Sequence, residues 1–404
     1  MAYLRKKNFI FFCLAAHGKG ISGGDRIFIE LARRWSKKLR VDIYLWTEGR
    51  EMCRRQKLEE SESKDKRVGM SYHVSTMTPW WRFGFLVNYI ARIVEGIRLG
   101  LTLQLRDSSN IYIYDASEFW MDSFPCVLLK LRFPRCKWIA SWYQTAPSPL
   151  IGFAEKDRAS PYRFKALLYW LNQLPVRLLI KKYADKVLVN NEEERMQFPK
   201  KNKKGDVIVL IGAVPLTSIR EWESKKVRLP KIYDAVFQGR FHVQKGVVEL
   251  IDIWKKVVEK EPGAKLGMIG DGPLMEDVKA KILKFKLEKN IKLFGYVFDG
   301  PKKYRIFYQS KIVVHPAYYD SGGMASAEAM AFGLPCVGFS LRAYESYYPK
   351  GMLKVKDIDD FSRAILKLLN NGRLRNKIGK EAKELVYKSY SWDFRAKEIL
   401  KRIV

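Results

Sequence analysis

Short β-prone runs alternate with helical patterns along all 404 residues. Few folds remain open to such a chain, because strands joined through helices pair in parallel and are covered by those helices on both faces. Segments 8–15, 41–47, 111–114, 137–142, 186–190 and 207–211 read as strands of a first α/β domain, with a helix over 25–38 presenting Ile27, Leu31 and Trp35 on one face. Segments 235–238, 265–269, 291–294, 312–315 and 336–339 read as strands of a second domain, separated by helices at 247–260, 274–285, 301–309, 325–332 and 357–370. The length suits about two domains of roughly 150 residues each. The charged stretch 200–231 is the expected connection, and the closing helix over 392–404 is expected to return to the first domain. The expected division is therefore an N-terminal domain over 1–215, a C-terminal domain over 216–385 and a crossover helix within 386–404.

A hydrophobic fraction of 47% with 13% aromatics supplies packed cores and excludes global disorder. The balance of 75 basic against 43 acidic residues gives a net charge of +32, which favours a polyanionic partner: nucleic acid, an anionic membrane surface or a phosphorylated small molecule. The five cysteines are scattered without a CxxC pair and the four histidines are dispersed, so we expect a reducing, cytoplasmic setting and no metal site. Residues 1–16, MAYLRKKNFIFFCLAA, have the basic start and short apolar run of a secretory leader. Gly18, Gly20, Gly23 and Gly24 follow, and a helical pattern opens at Asp25, which favours the first strand of a nucleotide-binding sheet instead. No uncharged apolar run reaches the about 18 residues that a membrane span needs.

Two segments carry the chemistry. DSGGMASAEAMAFGLP (320–335) sets Asp320 and Glu328 eight positions apart around Gly322 and Gly323, and the following helix directs free N–H groups at an anion. Glu328, in the first turns of that helix, can accept both hydroxyls of a ribose, and Asp320 can meet sugar hydroxyls. The plain alternative is a capped helix with a dipole-matched glutamate. FQGRFHVQKG (237–246) sets Arg240 and Lys245 just past a strand, at the carboxyl edge where open α/β sheets bind ligands. A guanidinium and an ammonium there suit a departing diphosphate, although in a chain this basic such a pair is equally a solvated surface. IGDGP (269–273), with Gly270 and Gly272, and Gly23-Gly24 are further glycine turns after strands, each readable as a phosphate-approaching loop or as a simple tight turn.

Taken in order, GRFHVQKG, IGDGP, LFGYV (293–297) and HPAYYDSGGMASAEAMAFGLPCVG resemble the second domain of family 4 glycosyltransferases over 237–338, and SGGDRIFIELARRW more loosely resembles the glycine-rich loop and first helix of that family. Little over 49–182 is diagnostic. The resemblance implies an α/β chain of GT-B fold, two facing Rossmann-like domains with an interdomain cleft and a C-terminal helix crossing back to the first. It implies sugar transfer from a nucleotide-sugar donor with retention of configuration and without a cofactor or metal. By resemblance, Arg240 and Lys245 meet the donor diphosphate and Glu328 the donor ribose. Asp320 is the catalytic carboxylate or donor-sugar position, and Gly322, Gly323, Met324, Ala325, Gly270 and Gly272 line the donor. Gly23 and Gly24 lie under the diphosphate or near the acceptor. Three departures stand out: the first acid is Asp320 rather than Glu, Gly322 replaces an aromatic, and no histidine occurs in SWYQTAP (141–147), where Trp142, Tyr143 or Asp115 stands nearby.

Two helical segments are both basic and aromatic. Residues 79–106 combine Trp80, Trp81, Phe83 and Phe85 with an apolar stripe of Leu86, Ile90, Ile93, Ile97 and Leu101, and residues 162–182 mix Arg163, Lys165, Arg177, Lys181 and Lys182 with Leu167, Leu168, Trp170 and Leu171. They read either as helices packed on the first sheet or as an attachment to anionic lipid. No zinc-finger spacing, stacking motif or basic recognition helix supports nucleic acid as a partner. The expectation is a retaining glycosyltransferase at the inner face of a membrane, acting on a glycan or lipid-linked acceptor. The alternatives are a sugar-phosphate synthase or phosphorylase of the same fold and a non-catalytic sugar-nucleotide or lipid-binding subunit.

Overall fold

Two parallel sheets organise the chain. The computed structural model describes residues 7–16, 21–59, 61–62, 68–75, 78, 80–153, 162–210, 212–225 and 228–404. The first sheet contains β1 (Asn8–Cys13), β2 (Arg40–Leu45), β3 (Ser61–Glu62), β4 (Gly69–Val74), β5 (Ile111–Asp115), β6 (Lys137–Trp142), β7 (Lys186–Val189) and β8 (Val207–Val209) in the order β3-β4-β2-β1-β5-β6-β7-β8. All neighbours are parallel except the short β3. The second contains β9 (Tyr233–Gln238), β10 (Leu266–Ile269), β11 (Ile291–Gly295), β12 (Ser310–His315), β13 (Cys336–Phe339) and β14 (Met352–Val355), all parallel, in the order β11-β10-β9-β12-β13-β14. In each sheet the order reverses beside the first strand, at β1/β5 and β9/β12, and such switch points open a crevice at the carboxyl ends of the strands.

Central strands read as continuous apolar runs because helices cover both faces: Phe9, Phe11, Phe12 and Cys13 of β1 are all buried. The strand read over 8–15 is present over Asn8–Cys13 and ends two residues earlier than expected, while residues 1–6 lie outside the described part. The Gly23–Trp35 helix starts on a capping box, Ser22 Oγ accepting from Asp25 N while Asp25 Oδ2 accepts from Ser22 N, and it buries Ile27, Leu31 and Trp35 as the pattern required. Three strands went unread, β3, β4 and β14. All lie toward the sheet margins, and GMSYHV and MLKV bury only part of their residues, so their apolar pattern is diluted.

The chain divides into one unit of Met1–Ala146, Leu167–Leu210 and Asp393–Val404 and a second of Pro147–Ala166 and Ile211–Trp392. The expected connection 200–231 contains the Leu216–Glu223 helix, whose Ile219 and Trp222 join the core of the second unit. The final helix, Trp392–Ile403, returns to the first unit, where Asp393 pairs with Arg34 at 2.8 Å and the Ala396 carbonyl accepts from Trp35 Nε1 at 2.9 Å.

The Phe85–Thr102 helix packs by an unexpected side. Arg92, Gly96, Leu99 and Gly100 are its buried residues. A Cβ at Gly96 would lie 2.5 Å from the Met121 carbonyl, and one at Gly100 2.8 Å from Leu128 Cβ, so the two glycines bring this helix close onto the Trp120–Arg132 helix. Among the described residues no helix is long and apolar enough to cross a membrane.

Candidate active site at the switch point of the second sheet

The loop after β9 and the loop after β12 are stitched together by backbone. Gln244 O accepts from Tyr318 N at 2.9 Å and Tyr319 N at 3.3 Å. Gly246 adopts φ +60°, and a Cβ there would lie 2.0 Å from the Pro316 carbonyl, so only glycine allows this approach. The stitching brings Lys245 Nζ to 2.5 Å from Asp320 Oδ2. The same oxygen takes His315 Nε2 at 2.9 Å and the Tyr344 hydroxyl at 3.3 Å, and Oδ1 accepts from Gly322 N at 3.3 Å.

Burial by itself would raise the Asp320 carboxyl, but the Lys245 ammonium and the His315 hydrogen bond hold it well below the usual range. Burial depresses His315 despite the neighbouring carboxylate, so the ring is neutral. The hydrogen-bond geometry then assigns the proton to Nε2, donating to Asp320, and leaves the buried Nδ1 with no partner among the described residues. Asp320 is thus an oriented carboxylate that keeps its charge.

A second cluster lies beside it. Glu328, on the Met324–Met330 helix, is buried, and its Oε2 accepts from Lys303 Nζ at 2.5 Å and from Gln238 Nε2 at 3.1 Å. Lys303 is 1% exposed and also pairs with Asp299. Gln238 ends β9 and His315 ends β12, so the two carboxylates are tied to the two strands that flank the switch point.

Arg240 shares the loop of Lys245 but is exposed, and its guanidinium makes no ion pair among the described residues. Gly323 takes φ +58° and precedes the helix that begins at Met324 and Ala325. Gly322 has a packing reason: a Cβ there would lie 2.8 Å from the Tyr347 ring, so the position is closed to a larger residue by that tyrosine. Gly270 and Gly272 also have packing reasons, since Cβ atoms there would meet the Gly239 carbonyl at 1.8 Å and the Phe241 carbonyl at 2.5 Å. They seat the IGDGP turn against the Arg240 loop, where Phe241 N donates to Asp271 O.

Sequence reasoning missed Lys303 and the tyrosines of LRAYESYYP. Tyr344 reaches Asp320, and Tyr348 Oη donates to the carbonyls of Gly322 and Gly323 at 3.0 and 2.8 Å. The spacing Tyr344, Tyr347, Tyr348 was a readable one-face signal. Lys303, one of many lysines, offered none. The segment Pro147–Ala166 was equally illegible, yet Phe153 meets His242 and Tyr319 edge-on at 5.8 and 6.4 Å. Burial, then Arg240, Lys165 and Lys245, push His242 down to about 4.

Gly23 and Gly24 belong to the first unit, at the β1/β5 switch point. A Cβ on Gly24 would lie 3.4 Å from the Ala116 carbonyl and 3.5 Å from the Tyr143 ring, whose hydroxyl bonds Tyr114 and Ser141 at 2.6 and 2.9 Å. Trp142 is buried in the core. Asp115 is fully buried between Ser123 Oγ and Ser141 N, a clamp between β5 and β6 rather than a group facing a ligand. No group of three or more His, Cys, Asp or Glu among the described residues has metal-holding geometry, and all five cysteines are buried free thiols.

Residues 218–385 match the family model described as glycosyl transferases group 1. The poly(ribitol-phosphate) alpha-N-acetylglucosaminyltransferase of Staphylococcus aureus is 27% identical over 47% of this chain and 42% of its own length. The chain spans under half the length of the curated relatives it matches. Among solved structures, Staphylococcus aureus TarM superposes with a TM-score of 0.67 at 15% identity, over 98% of this chain and 99% of that one. Anabaena HepE, crystallised with UDP and glucose, gives 0.66 at 11% identity over 98% of each. Residues 218–385 are therefore a glycosyl transferases group 1 domain, and the chain as a whole carries the GT-B fold.

Proposed function

We propose that the protein is a retaining, metal-independent glycosyltransferase of family 4 type, moving a sugar from a nucleotide-sugar donor to a glycan or lipid-linked acceptor. The observation that carries this reading is the Lys245–Asp320–His315 cluster at the β9/β12 switch point, inside the segment that matches the family. Lys245, with two further N–H bonds to give, and the exposed Arg240 stabilise negative charge as it grows on a leaving diphosphate, a contribution that acts on the transition state. Asp320 holds that ammonium in place and accepts donor-sugar hydroxyls, and Glu328 faces the ribose.

A carboxylate held far below its ordinary range is a poor proton acceptor. That supports a reaction in which the departing phosphate, not Asp320, takes the proton of the acceptor. Anabaena HepE and Staphylococcus aureus TarM have both been crystallised with UDP, which makes uridine nucleotides the first donors to test. The relative acting on poly(ribitol-phosphate), and an Escherichia coli transferase acting on a diphosphoundecaprenol-linked sugar, point the acceptor search toward phosphate-bearing and lipid-linked glycans. The expected location is the cytoplasmic face of a membrane.

The test is a thermal-shift screen against UDP, GDP, ADP, CMP and their sugars, on the wild type and on Arg240→Ala/Lys245→Ala. Stabilisation by one nucleotide, lost in the variant, is expected. No shift with any nucleotide would overturn the donor site. A shift without sugar transfer in Glu328-intact protein, across phosphate-bearing and lipid-linked acceptors, would favour a non-catalytic binding subunit.

A further inference from the structure

The Phe85–Thr102 helix is amphipathic with its polar and glycine side turned inward. Arg92, only 3% exposed, donates Nη1 to the Leu14 carbonyl at 2.9 Å and Nη2 to Glu48 at 2.8 Å, while Gly96 and Gly100 pack on the next helix. The apolar stripe is split: Ile93 packs against the core and Ile97 is half-buried, while Phe85 is 75%, Leu86 67%, Ile90 50% and Val94 59% exposed, with Trp81 and Phe83 exposed just upstream. A stripe at this spacing is ordinarily what a helix buries.

The Arg163–Tyr183 helix repeats the arrangement. It buries Gln173, Val176 and Ile180 and exposes Leu168, Leu171 and Leu178. Asn172 Nδ2 donates to the Tyr89 hydroxyl at 2.8 Å, so the two helices meet at this point, with exposed Phe85, Leu86 and Ile90 within a turn of Tyr89 and exposed Leu168 and Leu171 within a turn of Asn172. A concentration of exposed large apolar side chains of this kind marks an interaction site.

Charge identifies the occupant. Within the first unit, residues 167–183 carry three basic residues, Arg177, Lys181 and Lys182, and no acidic one, and in Trp80–Thr102 the one acid, Glu95, is neutralised by Arg98 at 2.6 Å. A second copy of the chain would bring another +32 against this face, so self-association is opposed. Exposed Trp and Phe at the end of an apolar stripe with basic neighbours suit the headgroup boundary of a bilayer.

We propose that, within the first unit, the outer faces of Phe85–Thr102 and of residues 167–183 form one docking surface for an anionic membrane. The surface stands on geometry alone, whereas its use in delivering a membrane-borne acceptor rests on the glycosyltransferase reading. Arg92 joins the outer face to the chain leaving β1, because the helix that meets lipid also holds the Leu14 carbonyl.

The test is co-sedimentation of the full chain with vesicles of phosphatidylcholine alone or of equimolar phosphatidylcholine and phosphatidylglycerol, for the wild type and for Ile90→Glu/Leu171→Glu. Both substituted positions are solvent-exposed, and UDP thermal shift and far-UV circular dichroism report whether the variant is folded. Binding to the anionic vesicles is expected, weakened by added salt and reduced at least about tenfold in the variant. Absence of wild-type binding overturns the proposal, and so does equal binding by wild type and variant. Concentration-dependent dimerisation that the variant abolishes would assign the face to a second copy and overturn it too. Since no nucleotide is needed, failure here and failure of the donor screen are read separately.

Discussion

Replacing Lys303 by methionine isolates the buried ion pair beneath Glu328. The ammonium is 1% exposed and sits 2.5 Å from Glu328 Oε2, itself buried, so its loss leaves a carboxylate with Gln238 Nε2 as the remaining donor to that oxygen in the network described above. Asp299 is about a quarter exposed and retains water, so Glu328 bears most of the effect. Stranding one member of a buried pair costs about 3–5 kcal/mol. For a domain of this size that lowers the unfolding midpoint by roughly 6–20 °C. Methionine keeps the methylene packing, so cavity formation contributes little. Glu328→Gln in the same background removes the stranded charge, and the double variant is expected to recover about 2–3 kcal/mol of the loss, the signature of direct coupling. The assay is thermal unfolding of wild type, the two single variants and the double variant in one buffer. A loss below about 1 kcal/mol for Lys303→Met, or strictly additive losses in the double variant, would refute the electrostatic account of this site.

Three further outcomes are expected. Gly246→Ala forces its Cβ onto the Pro316 carbonyl at a left-handed φ, so it should cost about 2–4 kcal/mol in thermal unfolding and weaken UDP binding by moving Lys245 away from Asp320. Glu194, pushed up to about 7 by burial although Thr145 N and Oγ donate to it, is raised above its unfolded value, so its stabilising contribution is full below pH about 4.3 and is lost as pH rises to about 7, about 3 kcal/mol in all. Glu194→Gln removes the titrating group while its one amide oxygen still accepts from Thr145, so it should flatten that part of the stability–pH curve, and an unchanged curve would sink the assignment. Lys245→Met removes the charge that holds Asp320 ionised, so an Asp320 titration followed by NMR should move up toward or beyond the ordinary carboxylate range.

The alternation of elements, the capped first helix and the glycine-acid loops were legible because they depend on spacing within a few residues. Hydrophobic period and cap chemistry are local, and a parallel sheet needs its crossovers in order. Arg240, Lys245, Asp320 and Glu328 could be named from the chain because their neighbours in sequence carry the pattern. That Lys245 closes on Asp320, that Lys303 neutralises Glu328 and that Tyr347 fills the space over Gly322 depended on contacts spanning 25 to 75 positions, which no local pattern encodes.

The Phe85–Thr102 helix shows the same limit in its sharpest form. Its apolar residues were visible in the sequence, but which of them face out was decided by Gly96 and Gly100, which let one side approach a neighbouring helix, and by carbonyls after β1 that pull Arg92 inward. Periodicity states that a helix has two faces. Which one meets the core is settled by the shape and polarity of what it packs against.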